Sequence, residues 1–148
     1  MQKKRNLRPN ATGRRKVVPF LRLPRPVYNS PNFIMLSSSA VKLLIDIAIQ
    51  YNGANNGDLQ ASLNPMRARG WVSSSTLNRA RQELIHYGFV ELTRQGGLGC
   101  CSLYAITWES IDGCNGKIQV PSTKVASRLF EQTQPKFRFR NTATRRIA

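Results

Sequence analysis

The sequence is short of acid, histidine, cysteine and long apolar runs, and each shortage excludes a class of function. Its seven acidic residues and one histidine are scattered along the chain, which leaves no evident partners for nucleophilic or acid–base catalysis, so an enzyme is not expected. Its three cysteines make a poor disulfide framework and fit a reducing compartment. Because Cys100 and Cys101 would point to opposite faces of a strand, no metal site is expected, and no cofactor is expected either.

A membrane partner is also not expected. The longest apolar run, AVKLLIDIAI at residues 40–49, is too short to span a bilayer and carries Lys42 and Asp46. The amino end, MQKKRNLRPN, is basic but has no apolar segment behind it, so a secretory signal is not expected. These features predict a cytoplasmic protein.

Positive charge is what the chain has in excess. The net charge is +16, and residues 1–36 contain nine Lys and Arg but no acid. Residues 37–108 are nearly balanced, like an ordinary globular domain, whereas residues 109–148 are again basic. We therefore predict a basic extended arm at 1–32, one domain at 33–120 and a basic carboxyl-terminal extension at 121–148. Flanks of one charge favour an anionic partner.

The arm is predicted to be extended, because four prolines between residues 19 and 31 interrupt any helix. Phe20, Leu21 and Leu23 either anchor the arm on the domain or belong to a loose tail. The basic clusters either follow DNA phosphates and a minor groove or serve solubility alone. The candidate DNA contacts in the arm are Lys3, Lys4, Arg5, Arg14, Arg15 and Lys16.

Two helices and a short extended piece are predicted to form the first half of the domain. The segment LSSSAVKLLIDIAIQYNG predicts a central helix with a serine cap at residue 37 or 38 and a stop at residues 52–53. A brief extended piece follows at 58–61. The segment LNPMRARG, residues 63–70, predicts a very short second helix with Asn64 as its cap.

The segment VSSSTLNRARQELIHYG, residues 72–88, predicts a helix over 74–87 with two faces. Leu77, Ala80 and Leu84 recur at spacings of three and four residues, with Tyr87 at the end, so this side packs inward. The other side carries small polar, amide and guanidinium groups, which bond base edges and phosphates, although a solvent-facing helix is the alternative. The candidate recognition residues are Ser73, Ser74, Ser75, Asn78, Arg79, Arg81 and Gln82.

Residues 89–108 alternate apolar and polar side chains on both sides of a glycine-rich turn, which predicts a β-hairpin. Val90 and Leu92 carry this alternation into the turn, and Tyr104, Ile106 and Trp108 carry it out. The tip is predicted at 94–99, where there is no acid and where glycine permits close approach to another molecule. Arg94 would probe a minor groove. The candidate contacts of the hairpin are Thr93, Arg94, Gln95, Gly96 and Gly97.

Three helices followed by a hairpin are typical of a winged helix-turn-helix. The predicted fold class is therefore α+β, a winged helix-turn-helix of three helices and a β-hairpin wing, with basic, largely extended amino- and carboxyl-terminal tails. In such a fold the third helix enters the major groove and the hairpin lies along the backbone. The predicted function is sequence-selective binding of double-stranded DNA, with a homodimer as an open alternative.

The runs FLRLP, LSSSAVKLLIDIAIQYNGANNGDL, SSSTLNRARQELIHYGFVELTRQGG and SLYAITW resemble a group of small bacterial helix-turn-helix proteins. These proteins are common on prophages, plasmids and other mobile elements. The resemblance covers about residues 20–120, and YNGANNG is its most specific piece. It implies a winged-helix DNA-binding domain with a role in transcription regulation or plasmid replication. The chain departs from the usual pattern between residues 58 and 71, where the second helix is short.

The carboxyl-terminal segments leave several alternatives open. The sequence KIQV can add a strand, and STKVASRLFEQ can form a short helix. The tail PKFRFRNTATRRIA interleaves aromatic and basic residues, a pattern that can stack the bases of single-stranded RNA. It can also form an edge strand or an unstructured end, of which the unstructured end is favoured. An RNA-binding ribonucleoprotein component is accordingly the second functional hypothesis, and a plasmid-type replication initiator is the third.

Overall fold

The computed structural model of the chain describes residues 18–140. Within this range the fold is α+β, with five α-helices and a small antiparallel sheet of three strands. The helices are α1 (Arg25–Tyr28), α2 (Pro31–Ile34), α3 (Ser38–Ala48), α4 (Leu63–Arg67) and α5 (Ser74–His86). The strands are β1 (Leu59–Gln60), β2 (Val90–Arg94) and β3 (Leu103–Ile106), in the spatial order β1-β3-β2. None of the helices in this range has the length and apolarity to cross a membrane.

Helix α3 lies at the centre of the core, as its apolar spacing predicts. The Ser37 hydroxyl accepts the backbone N–H of Ala40 at 3.2 Å and caps the start of the helix. The helix ends at Ala48, earlier than the predicted stop at 52–53, because the N–H groups of Gln50 and Tyr51 bond to carbonyl oxygens only three residues back. Its most deeply buried apolar side chains are Leu43, Leu44 and Ile47.

Helix α4 is little more than one turn long. It begins at Leu63 with Ser62 in the cap position, so the predicted cap at Asn64 is wrong. Pro65 fits inside the first turn because the backbone N–H groups of a first turn have no acceptor within the helix. Proline has no backbone N–H, so no hydrogen bond of the helix is lost there. Gly70 follows in the left-handed region, with φ +89°, and turns the chain toward α5.

Helix α5 has the two faces that its sequence predicts, and its bounds agree with the range 74–87 to within one residue. Glu83 is buried as well, which the sequence reasoning missed. Its carboxylate accepts hydrogen bonds from the backbone N–H and the hydroxyl of Ser37, both at 2.7 Å. A carboxylate at the amino end of α3 is stabilised by the partial positive charge there. The inward apolar residues of α5 are Leu77, Ala80, Leu84 and, at its end, Tyr87.

The predicted hairpin at 89–108 is confirmed as the antiparallel pair β2 and β3, and the predicted extended piece at 58–61 is β1. The pairing is irregular between Leu92 and Arg94. A bulge of this kind changes which side chains face the core. Thr93, which stands at the irregularity, is buried, whereas Leu92 is exposed.

The prediction of an extended arm over residues 1–32 is wrong for residues 25–32, which lie in α1 and at the start of α2. Two of the four prolines that were expected to prevent a helix, Pro26 and Pro31, stand instead in first turns, where a fixed φ is favourable and no donor is required. Val27 is fully buried in the core, and Leu21 and Leu23 pack against it. The amino-terminal segment is therefore part of the domain from about residue 21 onward.

The expectation of an unstructured end for the tail at 135–148 is wrong for residues 135–137, and the chain before them packs on the domain from about residue 128. Phe130 is buried in the core, with its ring stacked 6.1 Å from that of Phe89. The Asn32 side-chain amide donates to the carbonyl oxygens of Tyr87, Phe130 and Gln132 at 2.8–3.0 Å. The KIQV run forms no strand, and the only regular turn after it, in the described part of the chain, is a 3₁₀ turn at Leu129–Glu131.

Candidate nucleic-acid interface

The outward face of α5 carries a stripe of side chains at helical spacing. Ser75, Asn78, Gln82 and Ile85 follow one another at intervals of three or four residues, opposite the buried apolar side. Ser75 and Ile85 are exposed, and Asn78 and Gln82 are half-buried. This stripe offers hydroxyl, amide and apolar groups to a partner, which are the group types that discriminate base edges in a major groove.

Two arginines lie beside the stripe, one on each side. Arg79 is exposed and, within residues 18–140, has no carboxylate within ion-pair distance. Arg81 is half-buried and donates from Nη2 to the side-chain oxygen of Asn78. This bond engages the Asn78 side-chain oxygen, and within residues 18–140 the amide N–H groups of Asn78 have no hydrogen-bond partner. Arg79 is therefore the freer cation of the two, and Arg81 positions a neighbour.

The three predicted serine contacts have different roles at the start of α5. The Ser73 hydroxyl is the helix cap, accepting the backbone N–H of Thr76 at 3.3 Å, and lies 2.9 Å from the Ser75 hydroxyl. Ser74 is exposed. A groove of about 340 Å³ opens between this end of α5 and the β1–α4 segment. Its lining residues are Ala61, Leu63, Ser74, Ser75, Leu77, Asn78 and Arg81.

Thr93 is wrongly predicted as a contact residue of the hairpin. Its side chain is buried and its hydroxyl donates to the carbonyl oxygen of Gly57, because the irregular pairing turns it inward. Arg94 is also engaged within the protein: Nε and Nη2 donate to the carbonyl oxygen of Cys101 at 3.2 and 2.9 Å. Its guanidinium therefore links the two sides of the hairpin by hydrogen bonds. The predicted role was different: a side chain that reaches into a minor groove.

Gly96 and Gly97 lie before the tip of the hairpin. The N–H of Gly96 donates to the Ser102 hydroxyl, and a Cβ on Gly96 would stand 2.5 Å from the Ser102 nitrogen, so only glycine fits there. Gly97 pairs with Cys100. The turn itself is Leu98-Gly99, and Leu98 is fully exposed. Gln95 is exposed, so Gln95 and Gly97 are the predicted hairpin residues that remain open to a partner.

A second basic element, which the sequence reasoning did not place there, lies beside α5. Lys136, Arg138 and Arg140 are exposed, whereas the intervening Phe137 and Phe139 are half-buried. A groove of about 660 Å³ separates this segment from Gln82, Ile85 and His86 of the helix. We call residues 135–140 the basic strip. The alternation FRFR was the available signal, but nothing local to it indicates that it packs on α5.

The basic strip is attached to the end of α5 by two hydrogen bonds. The backbone N–H of Phe137 donates to the Tyr87 hydroxyl at 2.9 Å, and His86 Nε2 lies 2.7 Å from the carbonyl oxygen of Pro135. The rings of His86 and Phe137 are 5.5 Å apart. His86 therefore contacts the protein's own chain.

Within residues 18–140 no carboxylate lies within ion-pair distance of Arg79, Lys136, Arg138 or Arg140. Glu83 is turned toward α3, and the other described carboxylates that form ion pairs do so with Lys42, Arg69, Lys117 and Arg128. The candidate arm contacts, from Lys3 to Lys16, lie outside the described residues. The outward face of α5 and the basic strip thus form a surface with unopposed positive charge.

Within residues 18–140 no group of His, Cys, Asp and Glu is arranged to hold a metal ion. Comparison with family models, with curated proteins and with solved structures gives no match for this chain.

Proposed function

We propose that this protein binds double-stranded DNA with sequence preference through a winged helix-turn-helix domain. Helix α5 is the recognition helix in this proposal, and the hairpin of β2 and β3 is the wing. The observation that carries the proposal is the outward stripe of α5, which is polar, free of acid and bordered by an arginine on each side.

The order of the elements supports the winged-helix interpretation. A helix, a short strand, two further helices and a hairpin follow one another as α3, β1, α4, α5, β2 and β3. The strand order β1-β3-β2 places the short strand and the hairpin in a single sheet. Recognition helices in such domains pack by one face and enter the major groove by the other, and α5 is divided in that way.

Charge supports a nucleic acid as the partner. The net charge of +16 gives a long-range attraction for a polyanion, and Arg79, which has no ion pair within residues 18–140, lies beside the amides of Asn78 and Gln82. An arginine and two amides are the side-chain types that bond guanine and adenine edges with two hydrogen bonds. Duplex DNA therefore fits this face better than an acidic protein surface, which has no base edges to read.

We further propose that the protein regulates transcription of a mobile element and acts in the cytoplasm on the nucleoid, as the resemblance to bacterial helix-turn-helix proteins implies. It acts in this proposal as a binding protein and not as an enzyme.

Selection of bound fragments from a random duplex library tests the proposal. The full chain is incubated with the library at physiological salt, and bound fragments are amplified and sequenced over several rounds. Enrichment of a short common motif is expected, since α5 offers base-reading groups over about two turns. Retention of DNA with no enriched motif would contradict sequence preference, and retention of no duplex would contradict the proposal as a whole.

A further inference from the structure

We infer that the basic strip is a second DNA-contacting element, which binds the phosphate backbone next to the groove that α5 enters. This inference rests on the proposed function and adds to it a fixed backbone clamp. The clamp is made by residues more than 50 positions away from the helix start in the sequence.

The first argument is the direction of the side chains. Exposure alternates along residues 136–140, with the cations outward and the phenylalanine rings half-buried. Phe137 packs against the hydrophobic core and its ring lies 5.5 Å from that of His86. The Phe137 ring is thus partly engaged within the protein, which favours contact of this segment with phosphates over stacking on single-stranded bases. Its outward Lys136, Arg138 and Arg140 are suited to phosphates.

The second argument is rigidity. Upstream of the basic strip, Asn32 holds the carbonyl oxygens of Phe130 and Gln132, and the chain passes so close to Gly88 that a Cβ there would stand 2.5 Å from the Leu129 oxygen. The Tyr87 hydroxyl then fixes the backbone at Phe137. Cations held in place lose less conformational entropy on binding than cations on a free tail.

The third argument is position. Gln82 belongs to the outward stripe of α5 and also lines the 660 Å³ groove that the basic strip borders. Arg138 and Arg140 line the same groove, on its other side. A duplex whose major groove receives the stripe therefore brings its flanking strand toward these arginines. Within residues 18–140 neither arginine has a carboxylate within ion-pair distance, so both are available to phosphates.

The test compares two double variants of the full chain that remove equal charge. In the test variant Arg138→Ala and Arg140→Ala are combined. In the control Arg22→Ala and Arg25→Ala are combined, because both are exposed and belong to the amino-terminal segment that packs on the other side of α3. Affinity is measured for the selected duplex and an unrelated duplex over a series of salt concentrations.

The test variant is expected to lose affinity for both duplexes by the same factor. The slope of log affinity against log salt should fall in magnitude by about two, since each contacted phosphate contributes about 0.9. The control should leave the slope unchanged. Equal slopes for the test variant and the control, with the wild-type chain still binding duplex, would overturn the inference and leave the proposed function intact. Failure of the wild-type chain to bind any duplex would overturn the proposed function.

A charge-neutral variant tests whether the fixed position matters. Tyr87→Phe removes the hydroxyl that accepts the Phe137 N–H and keeps every cation. We expect faster hydrogen exchange at the Phe137 amide and weaker binding of both duplexes. Faster exchange with unchanged affinity would contradict a clamp. If the wild-type chain binds single-stranded RNA more tightly than duplex, and Phe139→Ala abolishes that binding, the inference is overturned. The segment would then act by stacking on bases.

Discussion

The Glu83 carboxylate accepts two hydrogen bonds from Ser37, one from its backbone N–H and one from its hydroxyl, both at 2.7 Å. The pair joins the middle of α5 to the start of α3, and so fixes the helix that carries the outward stripe against the helix at the centre of the core. An acid in an otherwise polar and basic helix is explained by this structural role.

Replacing Glu83 by alanine should lower the free energy of unfolding by about 1–3 kcal/mol, because the Ser37 N–H loses its acceptor in a part-buried site. Denaturant unfolding of the two chains measures the difference. Glu131→Ala is the control, since Glu131 is exposed and its ion pair with Arg128 is a surface pair worth about 0–1 kcal/mol. Equal losses in the two variants would show that the bond to Ser37 is not stabilising.

The Asn56 side chain makes four hydrogen bonds in the described structure. The residue is fully buried. Its Nδ2 donates to the carbonyl oxygens of Ile106, Glu109 and Ser110, and its Oδ1 accepts the N–H of Ile106. Asn56→Ala should therefore destabilise the fold by about 2–4 kcal/mol, since several buried groups lose their partners together. Asn52→Ala, at an exposed turn four residues earlier, should cost about 1 kcal/mol or less. Comparable denaturation midpoints for both variants would argue against this network.

Stability should fall in acid through Asp46. Burial alone would raise the pKa of this carboxyl, but hydrogen bonds from Lys42, Trp71 and Arg69 outweigh it and hold the pKa below its ordinary value. A carboxyl with a depressed pKa stabilises the fold above its unfolded pKa, and the contribution is lost as the pH falls through the folded value. The free energy of unfolding should therefore decline below about pH 4. The decline should be shallower in Asp46→Asn, and an equally steep decline would contradict this assignment.

The hairpin gives a prediction that separates folding from binding. Thr93→Val removes the buried hydroxyl that donates to the Gly57 oxygen and should lower the free energy of unfolding by about 1–2 kcal/mol. DNA affinity of the folded variant should stay the same, because the side chain does not reach the surface. Gln95→Ala, at an exposed position two residues on, should leave stability within about 0.5 kcal/mol of the wild type. A loss of affinity in Thr93→Val without a loss of stability would contradict the buried position.

Local periodicity was enough to predict the elements whose residues interact with near neighbours. The inward side of α5 follows from the spacing of Leu77, Ala80 and Leu84, and the hairpin follows from alternation around glycine. The position of Thr93 was not predictable, because a bulge depends on how two strands pair. Prolines in the amino-terminal segment were interpreted as helix breakers, although Pro31 begins α2.

The part of the candidate site that lies on one helix was predictable from local periodicity, and the rest was not. The outward residues of α5 were found from one helix, but the basic strip required a contact between Tyr87 and Phe137, 50 residues apart in the chain. Nothing in the alternation of phenylalanine and arginine identifies that partner. The partners of Asn32 were not predictable either, because two of its three acceptors are carbonyl oxygens about 100 residues downstream.

The central claim is that the outward stripe of α5 reads bases, and Arg79→Ala tests it most directly. Affinities of Arg79→Ala and of the control Arg22→Ala are measured on the duplex enriched by selection and on an unrelated duplex at the same salt. Arg79→Ala is expected to weaken binding of the enriched duplex by about 1–3 kcal/mol and to change binding of the unrelated duplex little, whereas the control leaves the ratio of the two affinities unchanged. Equal losses on both duplexes for Arg79→Ala would contradict base reading by this face.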